Sequence, residues 1–122
     1  MRTKRILSVA LLAISTSIIT MTSFKSKKAD GSRSNYTVTM NNSTFSPATL
    51  TIVAGSTVTW MNDDNVIHAV RTADTSINTG DIAPTTSVSL TFKTKRIYNY
   101  FDAHNPNMTG TLIVTDSTSR SN

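Results

Sequence analysis

Hydrophobic and polar residues alternate along most of the chain from Tyr36 onward, with the two-residue period of a β-strand rather than the period of a helix. Thr, Val, Ile and aromatic residues dominate the alternating segments, as strands favour. Turns rich in Asn, Asp, Gly and Pro separate them. The predicted strands are YTVTM (36–40), TLTIV (49–53), TVTWM (57–61), SVSLTF (87–92), YNY (98–100) and TLIVT (111–115). Short strands in this arrangement predict a single all-β domain, an antiparallel sandwich or barrel.

Two features refine this prediction. Four aromatic residues of the later alternating strands are expected in the core: Trp60, Phe92, Tyr98 and Tyr100. The segment from Ala73 to Pro84 is polar and lacks the alternation, so we expect a long connection that carries at most a short helical turn.

The first residues follow a different pattern. Arg2, Lys4 and Arg5 precede an apolar run from Ile6 to Thr20, which is typical of a secretory signal peptide. A membrane anchor is the alternative, but a spanning helix needs about 20 apolar residues. We therefore expect an exported protein, periplasmic or extracellular, with no membrane association beyond the signal peptide. Its expected parts are a signal peptide (1–23, cleavage point open), a basic polar linker (24–34), the β domain (35–115) and a polar tail (116–122).

The net charge of +5 is unevenly distributed. Residues 1–34 hold seven Lys and Arg against one Asp, whereas residues 35–115 hold four against five Asp. The folded part is therefore not basic, which argues against nucleic acid as a partner. The chain has no Cys, so it forms no disulfide and offers no thiolate ligand. It has no Glu, no nucleophile elbow and no phosphate loop, and we expect it not to be an enzyme.

The order of residues in the β domain resembles one family. The resemblance runs from Tyr36 to Thr115, and its most specific part is residues 44–70. The residues that carry it are Phe45-x-Pro47, Leu50, Val53, Gly55, Val58, Trp60, Asn62, His68-x-Val70, Gly80, Pro84, Phe92, Tyr98-x-Tyr100 and Met108-x-Gly110. This order resembles the cupredoxins, the plastocyanin- and amicyanin-like blue copper proteins. The resemblance implies a Greek-key β-sandwich with one copper ion near one end.

The resemblance also implies a set of ligand positions. Family ligands are a His after the third strand, then Cys, His and Met in a loop that reads Y-x-Y-x-C-x-x-H-P-x-M. On this chain the first His matches His68 and the axial Met matches Met108. The Cys position holds Asp102, and the second His position holds Asn105, still followed by Pro106. A blue copper centre requires the thiolate, so Asp102 does not reproduce the electronic structure of the family site.

Several candidate ligands remain for copper. His68, Asp102 and Met108 form the expected Cys-free set, because Cu(II) binds most tightly among the divalent metals to nitrogen and oxygen ligands. His104 lies one residue before the family position and is a weaker candidate, since it requires a shift of the loop. Asn105 occupies the family position and is not expected to bind metal.

Each candidate also has an interpretation without metal. His68 then covers the end of the sandwich through hydrogen bonds, and Met108 fills space in the core. Asp102 then accepts backbone N–H bonds, and it must be paired, hydrated or near protonated His68, because an unpaired ionised carboxylate is costly in a dry site.

Three functions follow from these alternatives. The first is an exported copper-binding protein with a non-blue site, whose partner is a redox or copper-handling protein. The second is a metal-free, degenerate cupredoxin used as a binding or structural module. The third is electron transfer as in the family, against which the missing Cys argues. Lys93, Lys95 and Arg96 are expected to form a solvated turn; the alternative is that they steer an acidic partner. We expect a monomer.

Overall fold

A computed structural model describes residues 33–117, and every element in this range is a β-strand. The expected signal peptide, most of the linker and the end of the tail lie outside the described residues. Within the described part, no helix is long and apolar enough to cross a membrane. The strands are β1 (Asn35–Asn41), β2 (Thr44–Ser46), β3 (Thr49–Val53), β4 (Ser56–Asn62), β5 (Val70–Thr72), β6 (Ser87–Phe92), β7 (Arg96–Asp102) and β8 (Thr109–Thr115).

The strands form two four-stranded sheets that pack face to face. The first sheet has the order β2-β1-β4-β6, and the second has the order β3-β8-β7-β5. β1 and β4 pair in parallel, as do β3 and β8, while the other neighbours are antiparallel. The chain changes sheet five times between consecutive strands, as a Greek-key sandwich requires. The expected all-β, Greek-key sandwich is confirmed.

Side-chain alternation explains why these segments form strands. On β4, Val58 and Trp60 are fully buried, whereas Thr57 and Thr59 face solvent and bond to hydroxyls of β6. The four predicted core aromatics are all buried. Edge-to-face contacts join them, with the ring centroids of Trp60 and Tyr100 5.7 Å apart. This aromatic cluster fills the space between the sheets.

The connection from Ala73 to Pro84 is irregular and contains no helical turn, within the expectation. The unexpected feature is that its residues Ile77 and Ile82 are fully buried. Isolated bridges join Arg71 to Asn78 and His68 to Ile82, so the segment is pinned to the second sheet and to the loop that holds His68. The sequence pattern missed this because the two isoleucines stand five residues apart among polar residues, which fits neither a strand nor a helix period.

Tyr100 and Gly110 are opposite each other on β7 and β8, and the Tyr100 ring lies over the glycine. A Cβ atom at position 110 would be 2.4 Å from ring atom Cζ. Burial raises the pKa of Tyr100 to about 12, and the nearby Trp60 indole lowers it only slightly. Neither the Tyr100 hydroxyl nor Trp60 Nε1 completes a hydrogen bond of ordinary geometry within the described residues. Because residue 110 is a glycine, the Tyr100 ring can occupy the space that a side chain at this position would fill.

We predict that Gly110→Ala destabilises the fold by about 1–3 kcal/mol, because the new methyl group overlaps a rigid ring in a packed core. Denaturant unfolding measures this change. The control is the double-mutant cycle with Tyr100→Leu, in which the added methyl group should cost less because the ring is gone. Equal costs of Gly110→Ala in both backgrounds would contradict the steric explanation.

Candidate functional site

His68 lies on the loop between β4 and β5, at the end of the sandwich. Its backbone forms two hydrogen bonds with Ile82: His68 N donates to the Ile82 carbonyl at 3.2 Å, and Ile82 N donates back at 2.7 Å. These bonds hold the imidazole in the interior, where the residue is 2% exposed.

Both ring nitrogens of His68 face carboxylates. Nδ1 lies 2.7 Å from Asp102 Oδ2, and Nε2 lies 2.8 Å from Asp64 Oδ2. An ionised carboxylate only accepts hydrogen bonds, so two ionised carboxylates at these distances require both ring nitrogens to donate, which is the protonated form of the imidazole. We call these three residues the Asp64–His68–Asp102 cluster.

Asp102 is the last residue of β7 and is fully buried. While Oδ2 faces His68, Oδ1 accepts hydrogen bonds from Ala69 N at 2.8 Å and from His104 N at 3.2 Å. Burial alone would raise the pKa of Asp102, but the hydrogen bonds from Ala69 and His68 outweigh it, and the pKa is lowered. Asp102 is therefore an ionised carboxylate, and its oxygens accept hydrogen bonds from His68, Ala69 and His104.

Asp64 links the cluster to the first sheet. Its carboxylate accepts hydrogen bonds from Asn42 N at 2.7 Å and Ser43 N at 3.0 Å, in the turn between β1 and β2. Both turn residues have positive φ angles, 51° and 56°, which point their N–H groups in one direction. The hydrogen bond from Ser43 and the contact with His68 lower the pKa of Asp64.

Asn62, the last residue of β4, shapes the loop that carries Asp64 and His68. It is fully buried, and its Oδ1 accepts a hydrogen bond from Asp64 N at 2.9 Å. Its Nδ2 donates to the carbonyls of Val66 and Ile82, both at 2.8 Å. Both polar atoms of the side chain are thus used, and they bond to the loop at Asp64 and Val66 and to the β5–β6 connection at Ile82.

The two carboxylates decide the protonation of His68. Burial alone would lower its pKa, but the hydrogen bonds to Asp102 and Asp64 outweigh it, and the pKa is raised. The cluster thus carries one positive and two negative charges, with the cation in the middle. No ring nitrogen of His68 keeps a free lone pair.

The other predicted site residues have different surroundings. Met108 is 3% exposed and belongs to the hydrophobic core, and its carbonyl accepts a hydrogen bond from Asp102 N. The His104 side chain is 49% exposed and contacts Asp81 at 2.8 Å, away from the buried cluster. Asn105 is half-buried, and its N–H closes a turn onto the Asp102 carbonyl. Of the candidate ligands, His68 and Asp102 are in direct contact.

Two residues of the site were missed by sequence reasoning, namely Asp64 and Asn62. Asp64 counted only as one of several surface charges, and Asn62 only as part of the family pattern. The available signal was an acidic turn, Asn62 to Asn65, directly before the buried His68. Among residues 33–117, no three His, Asp or Glu side chains are arranged to hold a metal ion.

Comparison with known proteins agrees with this architecture. The structure is similar to a copper-containing nitrite reductase from Thermus scotoductus (TM-score 0.63, 24% identity), with 66% of this chain covering 22% of that one. It is similar to the reduced state of an amicyanin mutant (TM-score 0.62, 23% identity), covering 66% of this chain and 82% of that one. A purple cupredoxin from Nitrosopumilus maritimus gives a TM-score of 0.61 at 24% identity, covering 66% of this chain and 99% of that one.

At the level of sequence, no curated protein matches the chain. The profile of the cupredoxin-like domain family, in contrast, matches residues 11–114, most of its length. The chain therefore belongs to the cupredoxin-like domain family.

Proposed function

We propose that this protein is a metal-free cupredoxin-like domain in which the Asp64–His68–Asp102 cluster replaces the copper centre, and that it serves as a non-enzymatic binding or structural module. The observation that supports this most directly is the engagement of both His68 ring nitrogens by carboxylates. A metal ligand must offer a lone pair, and a doubly donating imidazolium offers none.

The residues at the family's ligand positions do not fit a blue copper centre. The whole sequence lacks Cys, so no thiolate is available. His104, the nearest replacement for the second His, pairs with Asp81 on the surface. Copper at His68 would have to displace a proton held between two ionised carboxylates. Electron transfer, which depends on the redox centre, is therefore the least supported of the three functions.

A copper-binding function remains the competing prediction, with His68, Asp102 and Met108 as ligands. In its favour, Nδ1 of His68 and Oδ2 of Asp102 already lie side by side at 2.7 Å. A redox or copper-handling partner belongs to this alternative alone. Export to the periplasm or the cell exterior is proposed for both, on the basis of the N-terminal sequence.

The cluster has a structural role that does not need a metal. Asp64 binds the β1–β2 turn of the first sheet, and Asp102 is part of β7 in the second sheet. His68 between them joins the two sheets at one end of the sandwich. A copper ion with ligands from separate loops would make the same kind of connection. Truncating one member of such a buried ion pair costs about 3–5 kcal/mol, because it leaves an uncompensated charge.

The pKa shifts of the cluster predict how stability depends on pH. The pKa of His68 is raised above its ordinary 6.5, so its stabilisation is complete below pH 6.5 and is lost as pH rises through the folded-state pKa. The pKa values of Asp64 and Asp102 are lowered from 3.8, so their stabilisation is present above pH 3.8 and is lost as pH falls. Urea unfolding should therefore show maximal stability between about pH 4 and 6.5. The control His104→Gln, which alters the exposed histidine, should show the same dependence of stability on pH as the natural protein. If substitution of His68 also left this dependence unchanged, its assignment to the Asp64–His68–Asp102 cluster would be contradicted.

A second prediction isolates the contact with Asp102. In Asp102→Asn the amide oxygen can still accept from Ala69 N and His104 N, but the amide nitrogen donates toward Nδ1 of His68. Nδ1 must then accept, His68 becomes neutral, and we expect its pKa to fall and the fold to lose about 3 kcal/mol. NMR titration of the imidazole and denaturant unfolding measure both changes. Asp81→Asn, on the exposed pair with His104, is the matched control and should change little. An unaltered His68 pKa in Asp102→Asn would show that this carboxylate does not hold the proton.

A third prediction separates the metal-free function from copper binding. Calorimetric titration with Cu(II) at pH 6 should give no more heat for the natural protein than for His68→Gln, and the ¹⁵N spectrum should show both His68 nitrogens protonated. The ground for this is that the carboxylates hold both ring protons in place. Binding to the natural protein at least tenfold tighter than to His68→Gln, about 1.4 kcal/mol, would overturn the proposal and establish the copper alternative.

A further inference from the structure

Strand β6 (Ser87–Phe92) forms one edge of the first sheet and pairs only with β4. Asn62 N donates to the Thr86 carbonyl at 2.9 Å, and Gly55 N donates to the Phe92 carbonyl at 2.6 Å, so these two carbonyls face β4. Backbone groups of successive strand residues point in opposite directions. The N–H and C=O groups of Ser87, Ser89 and Thr91 therefore point away from the sheet. No other strand among residues 33–117 pairs with them, and we call these groups the open edge of β6.

This edge has none of the features that keep sheet edges from pairing. Natural proteins protect edges with charged residues, proline, bulges or very short strands. The sequence SVSLTF has no charge, no Pro and no Gly, and it is six residues long. By comparison, β2 and β5 are three residues long, and β5 carries Arg71.

Strand β3 (Thr49–Val53) is the other uncharged edge, five residues long. Its inward-facing residues differ from those of β6. On the core-facing side of β3, Leu50 is half-exposed and Ile52 is buried, whereas on β6 both Val88 and Leu90 remain half-exposed against the core. Val53, on the other face of β3, is also half-exposed. Apolar surface that is still open at the edge favours β6 as the place where another strand adds.

The open edge of β6 is complementary to itself. When two copies run antiparallel with Ser89 opposite Ser89, Ser87 stands opposite Thr91 and Val88 opposite Leu90. Hydroxyls then meet hydroxyls and apolar side chains meet apolar side chains. Hydroxyl pairs of this kind form within the sheet, between β4 and β6, where Thr59 and Ser89 are 2.7 Å apart and Thr57 and Thr91 are 2.8 Å apart.

Backbone geometry fits the same register. In an antiparallel pair, opposite residues whose polar groups face each other exchange two hydrogen bonds. The three outward-facing residues of each copy are opposite one another in this register, so every N–H and C=O of the open edge finds a partner. Lys93, the nearest charge, falls opposite Thr85 of the other copy, so no like charges meet. The arrangement has two-fold symmetry, as homodimers usually do.

We propose that two copies of this chain associate through the open edge of β6, antiparallel and centred on Ser89, which joins two four-stranded sheets into one eight-stranded sheet. The proposal is independent of the Asp64–His68–Asp102 cluster and replaces the expectation of a monomer. The contact involves one short strand per copy, so the dimer is weak and its population depends on concentration.

Sedimentation equilibrium of the full chain over a wide concentration range tests this proposal. In the natural protein the dimer fraction should rise with concentration. In Ser89→Lys the association constant should be at least tenfold lower than in the natural protein. That substitution places two ammonium groups beside each other on the symmetry axis. Thr51→Lys is the matched control, because it puts the same charge on the uncharged edge of β3 and should leave association unchanged. Far-UV circular dichroism shows that each variant is folded.

Amide hydrogen exchange provides the second measurement. Exchange at Ser87, Ser89 and Thr91 should slow as concentration rises in the natural protein, but not in Ser89→Lys. Three results would overturn the proposal. One is a monomer at every concentration, and another is a loss of association in Thr51→Lys as large as in Ser89→Lys. The third is protection of the three amides at every concentration, which would show that residues of the same chain outside 33–117 cover the edge.

Discussion

The protonated imidazole of His68, held between two ionised carboxylates, is the interaction on which this end of the molecule depends. It is the only contact among the described residues that links a turn of the first sheet, through Asp64, to the last residue of β7 in the second sheet, Asp102. Each carboxylate would be costly to bury alone, and so would the cation. His68 and Asp102 in the interior, and Asp64 at its partly exposed margin, are stable because each charge is matched and every remaining acceptor is bonded to a backbone N–H.

The cupredoxin-like scaffold is retained while the chemistry at its ligand positions has changed. A thiolate is a soft ligand suited to copper, whereas a carboxylate at the same position is a strong hydrogen-bond acceptor. With Asp102 on one side and Asp64 on the other, His68 is best satisfied as an imidazolium, which carries a proton on each ring nitrogen and donates one hydrogen bond to each carboxylate. Asp102 at the family's Cys position thus lies in an ion pair with His68 and offers a carboxylate where the family offers a thiolate.

The sequence predicted the longer strands, along which side chains alternate regularly, and missed the short strands and irregular loops, which show no periodic pattern. The two-residue period located the six longer strands and the buried faces of Trp60 and Tyr100. Strands β2 and β5, three residues each, are too short to display a period. Asp102 was found because the family pattern fixes its position. Asp64 was not, since its role arises from the path of an irregular loop, and that path depends on Asn62, whose three side-chain hydrogen bonds are not encoded in any periodic pattern.

Asn62 also connects the two features that distinguish this molecule. Its side chain directs the loop toward Asp64, and its backbone bonds to Thr85 and Thr86 continue the β4–β6 ladder to the start of β6. Those backbone bonds fix the register of β6, and the register decides that Ser87, Ser89 and Thr91 face outward. A one-residue slip would turn the other three residues outward and move Val88 and Leu90 off the core face. Asn62 therefore contacts both the loop that carries Asp64 and His68, through its side chain, and the start of β6, through its backbone.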